Sequence, residues 1–321
     1  MGPPNQPSSV LEAVANTTDP QAIESFALLS DPTRLSILIA LWEHEFPHGA
    51  TSCLSFSELR QRVGIRDSGK FNYHLDQLSG EFIERTEEGY SLSRAGARFV
   101  RTVISWTGAE DVAFDDSEVE TRCPFCDAPL LVRYRDESFV AECQGCDGGG
   151  AIVDNKLAKA IFPPAGVENR TPDEVLHAAT RYILHITHVM LDGVCPVCAC
   201  AVEHELSVCP DHDTTEGICE TCDSRFAGFV RMACSSCRAP NSAPVWLILI
   251  DHPAVITFYH ERGIEFDSTT WDGVFERYPT CNEQVISTDP PAVKVTFQEA
   301  ADELEIVLNE ALEAEVIARP S

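Results

Sequence analysis

Lysine is scarce in this chain: Lys70, Lys156, Lys159 and Lys294 are the only four among 23 Lys and Arg, set against 51 Asp and Glu for a formal net charge of −28 over 321 residues. A broadly basic surface, the usual source of affinity for nucleic acid, is therefore excluded for the chain as a whole. Long apolar runs are missing too. No stretch approaches the roughly 20 residues that cross a bilayer, and the opening MGPPNQPSSV has neither the basic nor the apolar region of an export signal. These absences predict a soluble, cytoplasmic protein with no membrane partner. Phosphate-cradling loops of the GxxxxGK[S/T] or GxGxxG type are absent. So is the HxE-with-PCxxC pattern of an open zinc site. Carboxylates are so numerous that no pair stands out as acid and base, and no enzyme is predicted.

What is present is a globular composition, 44% hydrophobic, with length for two or three domains. The acidic excess is spread along the chain, which resembles the proteomes of salt-loving archaea, where a solvated acidic surface suits molar salt and carries no message about the partner. The excess is also uneven. Residues 1–110 hold 9 basic and 14 acidic residues, leaving −23 of the −28 to the remainder, so nucleic-acid contact is sought at the front.

Local patterning predicts an α+β protein. A polar, Pro-rich arm over 1–19 is expected to be disordered. Residues 20–106 read as one domain, beginning with two short helices that meet at Ser30, where Asp31-Pro32 supplies an N-cap and a first-position proline. In SFSELRQRV, Ser57 is taken as N-cap, Leu59 and Val63 as a buried pair, and Gly64 as the stop. A helix over 68–78 buries Phe71, Leu75 and Leu78. FIERTEEGYSLS reads as a hairpin about Glu88-Gly89, and a helix over 94–106 closes the unit. An acidic linker (107–121) leads to a cysteine ribbon (122–147) whose strands are LLVRYR and SFVAEC. A helical connector (148–193) follows, with a helix starting at Thr171-Pro172-Asp173-Glu174 and running to about Met190. Next come a double cysteine module (194–240) and an α/β segment (241–321). In that last segment VWLILI is expected to be a strand and HPAVITFYHERGI a helix stopped by Gly263. Alternation at Val293, Val295 and Phe297 and at Leu304, Ile306 and Leu308 predicts a terminal β-hairpin, in preference to an acidic helix.

Helix, glycine turn, second helix and hairpin in this order describe a winged helix-turn-helix, in which the second helix lays a polar face in the major groove of double-stranded DNA. Opposite Phe71, Leu75 and Leu78 that face carries Ser68, Lys70, Asn72, Tyr73 and Gln77. Asn and Gln suit adenine edges and Lys suits guanine acceptors. Arg60, Arg62 and Arg66 lie just upstream, where phosphates would be met, and Arg85 lies on the wing. DPTRLSILIALWEHE, SFSELRQRVG and FNYHLDQLSGEFIERTEEGYSLSRAG resemble the arsenic-repressor type of winged-helix regulator over about residues 20–106. The resemblance implies a homodimer on a pseudo-palindromic site. Metal-sensing members carry paired cysteines on the helix before the turn, where this chain reads SFSELR; Cys53 lies outside that helix, and metal-responsive derepression is not carried over. The whole architecture, with its later CPVC (195–198) and CPDH (209–212) pattern, is similar to winged-helix proteins of salt-loving archaea.

Of 14 cysteines most fall in CxxC pairs, the spacing that sets two thiolates on one side of a knuckle so that two knuckles close a tetrahedron around zinc. Cys123 and Cys126 pair with Cys143 and Cys146. In the second block Cys195 and Cys198, Cys209 and His212, Cys219 and Cys222, and Cys234 and Cys237 give eight ligands for two ions, about three Zn2+ in all. Sequential partnership, first pair with second and third with fourth, is favoured; a cross-braced arrangement is the alternative. Cys53, Cys200 and Cys281 read as plain small hydrophobes, and a redox role of the cluster carries little weight. His177, His185 and His188 are read as ordinary histidines, and Trp246, Phe258 and Trp271 as core. The expected function is a dimeric DNA-binding transcription regulator that acts by occupancy, its zinc region dimerising or sensing. The rival is a zinc-ribbon adaptor for proteins of the transcription machinery that does not touch DNA. A zinc-thiol enzyme is the weakest reading.

Overall fold

The computed structural model describes residues 27–48, 53–106, 112–149, 156–214, 217–264, 271–275 and 281–319. The arm expected over 1–19, the start of the first helix and the beginning of the acidic linker lie outside these residues. The chain divides into two units, residues 1–107 and 108–321. Both mix helices with small antiparallel sheets. No helix among the described residues is long and apolar enough to cross a membrane.

In the first unit, helical residues 27–29 turn at Ser30 into α1 (Pro32–His48), where the Thr33 N–H donates to Asp31 Oδ1 at 2.8 Å. Helix α2 (Phe56–Val63) is capped by Ser55, and not by Ser57 as the sequence suggested. Ser55 and Glu58 form a reciprocal capping box, each side chain satisfying the other's free backbone N–H. Gly64, at φ 77°, ends the helix in the left-handed region where glycine is at no disadvantage. Helix α3 (Ser68–Leu78) starts at Asp67, whose carboxylate accepts the Gly69 and Lys70 N–H groups. The hairpin of β1 (Ile83–Arg85) and β2 (Tyr90–Leu92) pairs Ile83 with Leu92, and Leu54 bridges to Tyr90 on its far side. Helix α4 (Arg94–Trp106) follows. One core holds these elements together, with Ile37, Leu38 and Leu41 of α1, Leu59 of α2, and Phe71, Leu75 and Leu78 of α3 fully or almost fully buried. Burial of about 2 kcal/mol per large side chain is the main source of stability here. Glu45 of α1, itself buried, accepts the Leu92 N–H at 2.6 Å and so ties the hairpin to the core helix.

The second unit opens with a four-stranded sheet in the order β3 (Phe114–Arg122), β4 (Pro129–Arg135), β5 (Ser138–Cys143) and β6 (Ala158–Ile161). Much of the segment read as an acidic linker is thus a strand. Val119 opposes Leu130 in the ladder, and Arg133 and Arg135 on β4 pair with Asp116 and Asp115. Helix α5 (Pro172–Leu191) starts at a Thr171–Glu174 capping box, as its sequence promised. It serves two cores: Val175, Leu176 and Ala179 pack with this sheet, and Leu184 and Met190 pack with the downstream half of the unit.

That second core lies between the sheet of β7 (Val202–Val208), β8 (Gly228–Cys234) and β9 (Pro240–Pro244), the helices α6 (Val245–Leu249) and α7 (Pro253–His260), and a C-terminal meander. VWLILI, expected as a strand, is α6; the apolar run is short and Val245, Trp246 and Leu249 all face inward, so it has no period to read. Past α8 (Trp271–Phe275), the expected terminal hairpin is the centre of a four-stranded meander of β10 (Cys281–Thr288), β11 (Pro291–Glu299), β12 (Asp302–Asn309) and β13 (Ala314–Ala318). Val293, Val295 and Phe297 oppose Leu308, Ile306 and Leu304 in register, and all six are buried. Trp246, Phe258 and Trp271 are core residues, at most 3% exposed.

Candidate metal centres and candidate nucleic-acid interface

The cysteine pairs build one recurring local structure. In the pairs beginning at Cys123, Cys195 and Cys234, the first cysteine's N–H donates to the carbonyl five residues on (Ala128, Cys200, Ala239), and its carbonyl accepts the N–H four residues on. The residue after the second cysteine then stands in the left-handed region: Asp127 at φ 60°, Ala199 at 60° and Arg238 at 62°. The Cys219 pair makes the Cys219-to-Ser224 bond and places Asp223 at φ 49°. A non-glycine residue there costs on the order of 1 kcal/mol, strain that a ligand held by the knuckle offsets. Spare N–H groups point at sulfur: Gly145 to Cys143, Ser236 and Cys237 to Cys234, Asp213 to Cys219.

Three clusters result, in each of which four ligand atoms lie within 4.8 Å of one another: Cys123, Cys126, Cys143 and Cys146; Cys195, Cys198, Cys234 and Cys237; and Cys209, His212, Cys219 and Cys222. All twelve ligand residues named from the sequence are included. The partnership expected in the second block is not the one found. Neither the sequential nor the cross-braced order forms; the pairs nest, outer with outer and inner with inner. Topology dictates this, because β7 and β8 are antiparallel with Val202 opposite Cys234 and Val208 opposite Gly228. The knuckle before β7 must meet the knuckle after β8, while the inner pairs meet at the far end of the hairpin. The first cluster obeys the same rule about β4 and β5, where Leu130 opposes Cys143. Reading VEHELSV and GFVRMAC as a hairpin would have given the nested order.

The donor sets fit a tetrahedral ion. Sγ–Sγ separations are 3.7 Å for Cys123–Cys146 and 3.3 Å for Cys126–Cys143, and 3.5 and 3.4 Å for Cys195–Cys237 and Cys198–Cys234. A disulfide would need about 2.05 Å, whereas four thiolates on zinc stand about 3.8 Å apart. Electrostatics agree. Burial opposes the Cys234 thiolate, but the Ser236 and Cys237 N–H groups outweigh it and bring that thiol down to about 6. At Cys237 the Ala239 N–H favours the thiolate, yet burial and the thiols of Cys195, Cys198 and Cys234 push it up to about 12. Cys219, despite burial, is brought to about 7 by N–H groups, while burial and the neighbouring Cys209 and Cys219 drive Cys222 up to about 12. So many thiols cannot ionise together without a cation among them, and a dication removes the conflict. His212 turns Nδ1 to within 3.5 Å of the Cys222 sulfur, and burial holds its ring toward the neutral form that binds metal. Each cluster supplies four protein ligand atoms, the full complement of a tetrahedral ion. Cys53, Cys200 and Cys281 join no cluster among the described residues, nor do His177, His185 and His188. His188 instead meets Asp251 at 2.8 Å.

In the first unit, Ser68, Lys70, Asn72, Tyr73 and Gln77 are all exposed on α3, Tyr73 to 56%, opposite buried Phe71, Leu75 and Leu78. Asn72 donates one N–H to Asp76, a turn further on. Arg62 and Arg66 are exposed; Arg60 is half-buried and donates to the Arg66 carbonyl across the Gly64 turn. Arg85 is exposed on β1 with its guanidinium 5.6 Å from the Tyr90 ring centre. The sequence did not single out His74, which lies buried between the exposed positions with Nδ1 3.8 Å from Asp31. Lone polar residues on an apolar face give no signal of that kind.

Residues 120–314 match the family described as Domain of unknown function (DUF7351), and residues 22–103 match Domain of unknown function (DUF7347). No curated protein and no solved structure matches the chain.

Proposed function

This chain belongs to the family described as Domain of unknown function (DUF7351), and from that starting point we propose that it is a cytoplasmic DNA-binding transcription regulator of the arsenic-repressor type, acting as a homodimer by occupying an operator. Residues 20–106 are read as a winged helix-turn-helix, α3 as the recognition helix and the β1–β2 hairpin as the wing. The observation that carries the reading is the split of α3 into a buried apolar face and an exposed face with Lys70, Asn72, Tyr73 and Gln77. Such a face offers donors and acceptors to base edges, and no bond is made or broken. Zinc is the ion assigned to the three clusters. When bound it supplies cross-links between knuckles; the cysteines and His212 hold the hairpin ends, and the N–H groups aimed at sulfur share the thiolate charge.

The test is binding of the full chain to fragmented genomic duplex in molar KCl, where counterion release contributes little and base contacts dominate. Selective retention of particular fragments is expected. Lys70→Ala and Asn72→Ala should each weaken it by about 5- to 150-fold, the worth of one good base contact. Folded protein that retains no fragment, while a transcription protein co-purifies with it, would replace this reading with the adaptor.

A further inference from the structure

Arg225 follows the Cys219–Cys222 knuckle by three residues, yet its side chain serves a different metal cluster. Its guanidinium stands 4.6 Å from the ring centre of Phe125, inside the Cys123–Cys126 knuckle. Its Nε donates to the Gly148 carbonyl at 2.5 Å, just beyond Cys146, and its backbone N–H donates to the Gly149 carbonyl at 3.3 Å. The same residue holds its own cluster. Nη1 donates to the Gly217 carbonyl at 3.2 Å, on the approach to Cys219. The His212 ring also hydrogen-bonds the Arg225 backbone. That contact helps orient the ring whose Nδ1 faces the Cys222 sulfur, the usual task of a partner behind a metal-binding histidine.

We infer that Arg225 is a positioning residue that joins the Cys123 cluster and the Cys209–His212 cluster into one cooperative metal-binding unit, with the Cys195 cluster outside it. An empty first cluster loosens the turn over 145–148: Cys143 stays in the β4–β5 ladder and Gly149 stays bonded to the Lys156 carbonyl, but Cys146 loses the metal that ties it to Cys123 and Cys126. Arg225 then loses the fixed position of the Gly148 carbonyl and of the Phe125 ring. The segment that presents its backbone to His212 loosens as a consequence. Linkage makes the effect reciprocal: filling either cluster tightens the other by the same factor. The Cys195 cluster sits across the seven-residue length of β7, about 20 Å away and out of reach of one arginine side chain.

The inference rests on the metal reading and is independent of DNA binding. Its test uses the full chain titrated with cobalt, because a site of three thiolates and one imidazole differs from a site of four thiolates in its ligand-field bands, so the His212 cluster is followed separately. Three bound ions in the unaltered chain establish the metal reading; fewer than three would defeat that reading on its own account. Cys126→Ser, which disables the first cluster, is expected to weaken cobalt at the His212 cluster by about tenfold, a typical coupling, whereas Cys237→Ser should leave it unchanged. In an Arg225→Gln background Cys126→Ser should add no further loss. Arg225→Gln alone keeps every ligand, and it should speed release of metal from the Cys123 cluster but not from the Cys195 cluster, which guards against a misfolded cysteine variant. Equal acceleration at all three clusters, or an undiminished effect of Cys126→Ser in Arg225→Gln, would overturn the inference.

Discussion

Phe71, Leu75 and Leu78 in the first unit and Cys195, Cys198, Cys234 and Cys237 in the second achieve order by different physics. The first three are at most 1% exposed in a continuous apolar core that needs nothing but water to form. The four cysteines stand at one end of the β7–β8 hairpin, two of them exposed, and close a tetrahedron that needs a cation. Apolar order is distributed and survives the loss of one contact. Order of the second kind is concentrated at a point and fails when that point is vacated. The difference in charge follows the same division, since the cysteine-bearing remainder of the chain carries most of the negative charge.

The largest expected effect is therefore selective. Chelation of the metal should unfold the knuckles over 195–237 and 123–149, because a structural zinc site contributes on the order of 10 kcal/mol of apparent folding free energy. Helices α1 to α4 should persist. Limited proteolysis with and without a strong chelator reads this directly: new cuts within the knuckles and none in 32–106. Equal sensitivity of both regions would erase the contrast.

The converse perturbation is Leu75→Ala, which empties a site 1% exposed in the first core. A loss of about 2 to 5 kcal/mol is expected for this exchange, seen as a lower unfolding midpoint of the first unit, with the zinc content of the chain unchanged. Concurrent metal loss would show that the two kinds of order are not independent.

How much of this was legible depended on whether the determining feature was local. Helix α3, the hairpin after it and the inward faces of β11 and β12 follow from spacing within a dozen residues, and the structure places them where the patterns said. All twelve knuckle ligands were visible because CxxC, and the CxxH of Cys209 and His212, are local signals. Their partnership was not, because it is fixed by which strand lies beside which. Phe114–Arg122 was hidden by its acids: its pairing with β4 and the ion pairs to Arg133 and Arg135 hold it, and neither is written within the segment. Arg225 is likewise invisible in sequence, since it acts through Gly148, 77 residues away.

A smaller effect separates two roles of one carboxyl. Burial raises the pKa of Glu45 against the Leu92 N–H, which lowers it, with Glu84 adding to the rise. Glu45→Ala strands the Leu92 N–H and should cost about 1 to 3 kcal/mol. Glu45→Gln keeps an acceptor without a charge to bury, so its thermal midpoint at neutral pH should equal or exceed that of the native chain. Equal loss in both variants would mean that the ionised group, and not the hydrogen bond, holds the hairpin to α1.

The smallest effect lies in the second unit and owes nothing to metal. The hydrogen bond from His188 to Asp251 raises the histidine pKa above its ordinary 6.5; burial opposes this, and the charges of Asp251 and Asp192 add to it. The folded state thus binds the proton more tightly than the unfolded one. The stability contributed is fully present below the unfolded pKa and is lost as pH rises through the folded value. Both side chains are about a third exposed, at 35% and 36%, so screening keeps the contribution below about 1 kcal/mol. His188→Gln should therefore lower the midpoint of the metal-loaded protein slightly near pH 6 and not at all near pH 9. A difference that grows with pH would mean that neutral His188 is favoured by packing and that Asp251 is incidental.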